Sequence, residues 1–391
     1  MPRKENIIDI PWFKIVRVEK SNVITFKVKY EGEVCCPRCG GNILRAKAKG
    51  KRRVRHESIG DKKVFLEFTY RKYLCCTCDR YFNQRFPGIL PYRRSTEKFR
   101  NEVFQKHQDG ICQSTLSKRL GIGTATVERW SNDYLKRIVS EKNNYSCPKV
   151  IGIDEHHFSK KDGYATTICD LVNHRVYDLT LGRSEKSLEA YFSSLKGKEN
   201  VKVVVMDLAE TYRNIIKKHF PNSKIVADRF HVIRLVNHHF MKQWQVIDPI
   251  GRKNRGLLSL MRRHESKLTD IQKDNLYRYF EVNSAIKPIY EFKQKLCRLL
   301  LLKSRTKKQV KRLIRIFLRY LELLEDSMLP SMMTLGRTIK AWSEEIVRMW
   351  RFRKSNGITE GFHNKMELIA RRAYGFRNFE NYRLRVKALC A

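Results

Sequence analysis

Three acidic side chains, far apart in the chain, have the types and settings from which a divalent-metal centre is built. Asp154 in IGIDEHHF and Asp207 in VKVVVMDLAETY each end an apolar, β-branched run. Glu360 in RKSNGITEGFHNKME opens a stretch whose Ile358, Phe362, Met366 and Ile369 recur near helical spacing. Strand ends that lie side by side bring such carboxylates together, and hard oxygen donors of this kind suit a pair of Mg²⁺ or Mn²⁺ ions. With the ions in place, a water is activated near neutral pH and a leaving 3′ oxygen is stabilised, which is the chemistry of phosphodiester cleavage. Each acid also has a plain structural role open to it: a turn or cap for Asp154, the N-cap of a helix starting near Glu210 for Asp207, and a cap or solvated position for Glu360.

A second constellation is built on sulfur. Six of the eleven cysteines fall in the first 78 residues, as VCCPRCGG and YLCCTCDRYF. Cys36 and Cys39 flank a Pro-containing turn, Cys75 and Cys78 form a matching pair, and a strand-rich stretch, VFLEFTYRKYL, lies between them. Two CxxC knuckles at this separation resemble a zinc ribbon, one structural Zn²⁺ held by four thiolates. Buried free thiols are the alternative. Cys35 and Cys76 adjoin proposed ligands but break the even spacing, and His56 in RVRHESIG is read as a surface residue outside the set.

The rest of the composition says what such sites act on. Lys and Arg number 81 against 40 Asp and Glu, a net charge of +41 spread along all 391 residues. The natural partner is a polyanion. No apolar run approaches the roughly 20 residues of a spanning helix, and MPRKENIIDIPWF lacks the apolar core of a secretory signal, so a cytoplasmic location without membrane insertion is expected.

Elements to carry these residues can be read along the chain. A zinc-ribbon domain is expected over 1–92. From 93 to 145 the pattern turns helical, with Ser95 and Ser114 as candidate helix starts and a turn at Gly121 and Gly123. This reads as a helix-turn-helix whose second helix begins near Thr124, with Leu116, Leu120, Val127 and Trp130 packed between helices. Thr124, Thr126 and Arg129 would then face a major groove, and Lys118 and Arg119 its phosphates. A plain three-helix packing unit shows the same apolar spacing. Residues 140–149, SEKNNYSCPK, read as a linker.

From Val150 the order is three strands, helix, strand, helix, strand, helix. This is the order of a ribonuclease H-like α/β core, in which the first and fourth strands are neighbours and Asp154 and Asp207 meet. That core is assigned to 146–239, an all-helical, Lys/Arg/Leu-rich insertion to 240–349, and a return to the core with Glu360 to 350–391. Past Glu360, Arg371, Arg372 and Arg377 alternate with aromatic residues. Such alternation suits either a strand-opened DNA end or an amphipathic helix on the core.

CPRCGG, YLCCTCDRYF, GIDE, VVVMDL, ADRFHVIRLVN and SNGITEGFHNKMELIARRAYGFRNFENYRLRV together resemble the bacterial insertion-sequence DDE transposases of the ISL3 family, over nearly the whole chain. The resemblance implies a multidomain α+β protein. Its parts would be a zinc ribbon, a helix-turn-helix and a ribonuclease H-like core carrying a helical insertion. It also implies a Mg-dependent DDE site of Asp154, Asp207 and Glu360, and it selects Glu360 more firmly than spacing does. His231, in a DxxH pattern with Asp228, would support that site, the alternative being a histidine packed at a helix start. The implied partners are double-stranded DNA, as element ends and target, and a second copy of the chain. Three other readings use the same residues: a DNA-binding regulator, which has no need of convergent carboxylates, a structure-specific nuclease without strand transfer, and a transposase that has lost activity, although all three acids are present.

Overall fold

The computed structural model describes residues 7–142, 146–303, 306–352 and 356–390. The chain divides into two compact units, Met1–Ile138 and Val139–Ala391.

In the first unit, β1 (Phe13–Lys20), β2 (Val23–Tyr30), β3 (Leu44–Ile59), β4 (Lys62–Cys75) and β5 (Arg80–Asn83) form one sheet. Its order is β1-β2-β4-β3, with β5 on β4. Alternation along β2 and β4 buries Ile24, Phe26 and Val28 and Val64, Leu66 and Phe68 on one face. There Phe13, Phe68 and Phe86 meet with ring centroids 4.8–5.6 Å apart. The long β3–β4 hairpin pairs Leu44 with Cys75, which carries the second cysteine pair to the base of the strand that follows the first.

Three helices follow: α1 (Glu97–Gln108), α2 (Gln113–Leu120) and α3 (Thr124–Lys142). The cap of α1 is Thr96, not Ser95, and its side chain accepts the Phe99 N–H. Helix α2 starts one residue before Ser114, after Cys112. Gly121, at φ 67°, closes it in the left-handed region that glycine tolerates. Leu116, Leu120, Val127 and Trp130 share one buried cluster with Phe99 and Val103. His56 corrects its surface assignment. It is buried, its Nδ1 lies 3.0 Å from Thr96 Oγ1, and burial pushes its imidazole down to about 4. The sequence misled here because a histidine between charged neighbours in a strand points to the opposite face from them.

The stretch read as a linker also differs. Helix α3 runs on to Lys142 and Cys147 and Pro148 are buried, while residues 143–145 lie outside the described residues.

The second unit opens with β6 (Val150–Ser159), β7 (Gly163–Asp170) and β8 (Arg175–Leu181), then α4 (Glu185–Ser194), β9 (Val203–Met206), α5 (Glu210–His219), β10 (Lys224–Ala227) and α6 (Arg229–Ile247). The sheet order is β10-β9-β6-β7-β8, so the first and fourth strands of this unit are neighbours. β6, β7 and β8 run antiparallel, while β9 lies parallel to β6 and β10 to β9. The apolar runs Val203–Met206 of β9 and 225–227 of β10 follow from burial on both faces, with only Lys224 at the start of β10 exposed.

Helix α6 continues past the sheet into a helical region: α7 (Pro249–Lys253), α8 (Arg255–Arg262), α9 (Asp270–Val282), α10 (Ile286–Leu301), α11 (Lys307–Glu325) and α12 (Pro330–Ala341). The chain returns through α13 (Ser343–Arg351), α14 (Gly357–Arg372) and α15 (Phe379–Cys390). One buried cluster includes both sheet and helical residues, among them Val205, Phe240, Leu300, Phe317 and Trp350. The return is fixed by a buried ion pair, with Arg213 of α5 donating from Nε and Nη2 to the two oxygens of Glu345 at 2.9 and 2.8 Å. No helix among the described residues is long and apolar enough to cross a membrane.

Candidate metal centres and active site

Strand register explains how distant acids meet. In the parallel β6–β9 pair, Gly152 lies opposite Val205, and two further residues bring Asp154 level with Asp207. Ala227 of β10 lies opposite Met206, so the same step brings Asp228 beside Asp207. The acids thus gather where the parallel β6–β9 and β9–β10 pairings end, while β6 itself continues on β7 through the pair Asp154–Thr167.

Asp154, Asp207 and His231 offer ligand atoms within 4.8 Å of one another. His231, in the first turn of α6, places Nδ1 3.0 Å from Asp207 Oδ2 and Nε2 3.8 Å from Asp228 Oδ2. Asp207 Oδ1 is buried without a hydrogen-bond partner. Burial comes first in raising the Asp207 carboxyl to about 8, helped by the charges of Asp154 and Asp228 and opposed by Arg234. Burial also raises Asp154 to about 6, against the N–H of Glu155. His231 is lowered by burial, against the pull of Asp228.

Two raised carboxyls and an orphaned carboxylate oxygen are the features that a hard divalent cation corrects, and the donor set fits one. An ion bound here would have to displace protons from these groups, so its affinity is expected to rise with pH through about 6 and about 8. A Mn²⁺ titration followed by electron paramagnetic resonance between pH 5.5 and 8.5 will show tightening; a flat profile would separate the metal from these carboxyls.

Glu360 is not brought into that group. It is exposed in the first turn of α14, although its charge contributes to raising Asp154. What holds α14 in place was missed in the sequence. Asn356 is buried; its N–H donates to Asp228 Oδ1 at 3.1 Å and its Nδ2 to the Ile153 carbonyl at 2.9 Å, while its Oδ1 accepts from Thr359 Oγ1 at 2.7 Å. Gly152 makes room for this key, since a Cβ there would lie 2.4 Å from Asn356 Oδ1 and 2.8 Å from Leu171 Cδ2. Gly152→Ala is therefore expected to cost about 1–3 kcal/mol by overpacking and to displace the helix carrying Glu360. Chemical denaturation measures the first effect, and DNA cleavage the second.

The remaining basic candidates divide. Arg371, Arg372 and Arg377 are exposed, with Arg371 paired to Glu367 at 2.6 Å. Among their neighbours the packed-helix alternative accounts for most of the pattern. Arg383 donates twice to Asp178 at 2.8 Å, and Phe376, Phe379 and Tyr382 pack together, the last two also on Phe158. A groove of about 430 Å³ that the sequence did not reveal runs along α6 from Phe230 past Arg234, Asn237 and His238 to Arg252 and Arg262, with no carboxylate in its lining. In the first unit, Lys118, Arg119, Thr124 and Arg129 are exposed and Thr126 half-buried, with Arg129 Nη2 3.5 Å from Thr126 Oγ1.

The four knuckle cysteines do converge. Cys36 and Cys78 sulfurs are 3.7 Å apart, Cys39 and Cys75 sulfurs 3.5 Å, and all four lie within 4.8 Å. Tetrahedral Zn–S bonds of about 2.3 Å give S···S separations of about 3.8 Å, so the cluster fits a zinc ion. Burial acts to raise the Cys75 thiol, but the backbone N–H groups of Cys78 and Thr77 outweigh it and bring it down to about 6. Burial and the other sulfurs push Cys78 up to about 12, as expected of thiols crowded without their ion. Cys35 and Cys76 are exposed and stand outside the group.

Comparison with known proteins adds to this geometry. The profile of the ISL3 group, described as a transposase, matches residues 151–386. The chain belongs to the ISL3 transposase family. A second profile, the zinc finger of the IS204/IS1001/IS1096/IS1165 transposases, matches residues 32–78 and so contains all four clustered cysteines. Together with the sulfur geometry, it points to a structural zinc. The transposase for insertion sequence element IS1001 of Bordetella parapertussis is 24% identical over 363 residues, covering 90% of this chain and 88% of its own length. Membership in this family makes the chain a DNA-transposition enzyme and DNA its partner.

Proposed function

We propose that this ISL3 transposase recognises the terminal inverted repeats of an insertion sequence, cuts DNA at the element ends and joins the freed 3′-hydroxyl to target DNA at a DDE site of Asp154, Asp207 and Glu360. The observation that carries the reading is the orphaned Asp207 Oδ1 inside a group of buried, mutually repelling carboxyls. Among the described residues it is the one buried carboxylate oxygen left without a partner, where most buried polar atoms have one.

Two bound Mg²⁺ or Mn²⁺ ions would supply water activation and leaving-group stabilisation here. The protein's own groups prepare the site for them. His231 donates from Nδ1 to Asp207 Oδ2, which leaves Oδ1 for metal, and Nε2 of the same ring lies 3.8 Å from Asp228 Oδ2. Asp154 and Asp207 bind as carboxylates, and Glu360 is the third donor, on a helix held by Asn356. The sheet order supports a ribonuclease H-like core, since it makes the strands that carry Asp154 and Asp207 neighbours.

DNA is held on several faces. The α2–Gly121–α3 arrangement supports a helix-turn-helix, with Thr124, Thr126 and Arg129 toward base edges and Lys118 and Arg119 toward phosphates. The carboxylate-free groove along α6 and the exposed Arg371, Arg372 and Arg377 suit the strand approaching the acids. Synapsis of two element ends calls for a homodimer on DNA, working in the bacterial cytoplasm at the nucleoid.

Alanine variants of Asp154, Asp207 and Glu360 test the assignment. Each is expected to bind end DNA with the parent's affinity by fluorescence anisotropy and to yield no cut or joined product. A variant that cuts at the parent rate removes its residue from the site.

A further inference from the structure

Asp154 Oδ1 accepts the N–H of Glu155 at 2.8 Å, so Oδ2 is the oxygen left to more distant partners. It faces His363 Nδ1 at 3.8 Å, an electrostatic contact longer than a hydrogen bond. Behind His363 stands a continuous series of contacts. His363 Nε2 is 3.1 Å from Thr167 Oγ1, Thr167 Oγ1 is 3.0 Å from His156 Nδ1, and His156 Nε2 is 3.0 Å from Tyr382 Oη. Four elements meet here. Asp154 and His156 alternate along the same face of β6, Thr167 lies directly opposite Asp154 on β7, and α14 and α15 supply His363 and Tyr382.

Proton counting leaves two directions for this series. Thr167 is fully buried and its hydroxyl, with one proton, stands between two ring nitrogens. One of the two assignments that keep both rings neutral turns an N–H toward Asp154. Tyr382 O–H donates to His156 Nε2, His156 Nδ1–H donates to Thr167 Oγ1, and Thr167 O–H donates to His363 Nε2. The one proton on the His363 ring is then on Nδ1, facing Asp154. The reverse order satisfies the same links but sets a lone pair on Nδ1 against the Asp154 carboxylate oxygen, two acceptors face to face.

We propose that His363 is a positioning residue for Asp154, held as the Nδ1–H tautomer by the Tyr382–His156–Thr167 relay so that its N–H is turned toward Oδ2. The relay also ties α14, the helix carrying Glu360, to β7. This inference rests on the acidic-site reading above, and goes beyond it by naming what orients the first acid.

The test uses the full-length chain. Thr167→Val keeps the volume and removes the hydroxyl, whereas Thr167→Ser keeps the hydroxyl. Imidazole ¹⁵N shifts of the metal-free chain are expected to show His363 protonated at Nδ1 in the parent and in Thr167→Ser, and to lose that preference in Thr167→Val. Single-turnover cleavage at saturating Mg²⁺ is expected to fall about 10- to 100-fold in Thr167→Val and to stay within about twofold in Thr167→Ser. A parent His363 protonated at Nε2 overturns the proposal. So does a Thr167→Val chain that loses the tautomer yet cuts at the parent rate. If Thr167→Val does not fold, Tyr382→Phe breaks the same relay at its far end, with the same expected shift and slowing. Should the parent cut no DNA at all, the acidic-site reading falls, while the ring-nitrogen shifts still decide the relay.

Discussion

Asp207→Asn is expected to abolish DNA cleavage and, without metal, to make the chain more stable above neutral pH. The two effects have one cause. Folded Asp207 has its carboxyl raised from an ordinary 3.8 to about 8, chiefly by burial. A group that holds its proton longer in the folded state contributes most below its unfolded value, and stability then falls as pH climbs through the folded value. Metal-free parent protein therefore loses stability between about pH 4 and 8, and the amide, which cannot ionise, does not. At pH 8 the variant should melt higher by on the order of 5 °C, with the difference vanishing near pH 4. Cleavage should fall by at least about 10²–10³-fold. Thermal melts at both pH values, with and without Mg²⁺, check the argument. Equal melting of the two chains at pH 8 would mean that the carboxyl is not under the strain described.

Loss of zinc is expected to have the second large effect, in the first unit. Four sulfurs held at 3.5–3.7 Å across two pairs are stable as thiolates only around a cation. Chelation, or Cys75→Ser, should release the base of the β3–β4 hairpin, because Cys75 is the β4 residue paired with Leu44. Binding to element ends should drop toward the non-specific level, about 10³-fold or more, while the far-ultraviolet signal of the helical second unit persists. Zinc content by mass spectrometry, read beside end affinity, checks it. A chain lacking zinc that binds ends unchanged would assign the cysteines no part in recognition.

Much of this was legible in the sequence for definite physical reasons. The period-2 and period-3.6 apolar patterns revealed the strand and helix order of the second unit's sheet, but of the five strands of the first unit only the stretch VFLEFTYRKYL in β4 was readable. Gly121 marked the α2–α3 turn because only a left-handed residue fits there. The paired CxxC spacing separated Cys36, Cys39, Cys75 and Cys78 from Cys35 and Cys76, which the structure leaves exposed. Asp154 and Asp207 were readable as the acids that follow apolar, β-branched runs, although β6 continues through Asp154 to Ser159.

What escaped notice depends on tertiary contact. Asn356 is an unremarkable polar residue before a helix until Gly152 and Asp228 surround it. His363 follows Glu360 by three residues and His156 follows Asp154 by two, spacings that put each on the same face as its acid, and that periodicity was the available clue. Thr167 and Tyr382 gave no signal at all, since the strand pairing and the packing of α15 alone bring them to His156. Glu360 is the reverse case: the family pattern selects it, while the folded chain leaves it exposed beside the group formed by Asp154, Asp207 and His231.

The acidic group is proposed to cut DNA at an element boundary. The most direct measurement maps the broken strand at nucleotide resolution on DNA carrying a native element end, with Mg²⁺ present and with it chelated. A 3′-hydroxyl at the boundary that requires the metal and vanishes in the Asp154→Asn, Asp207→Asn double variant is the predicted result. Saturated binding with no break in either Mg²⁺ or Mn²⁺, or a break that survives in the double variant, would contradict it.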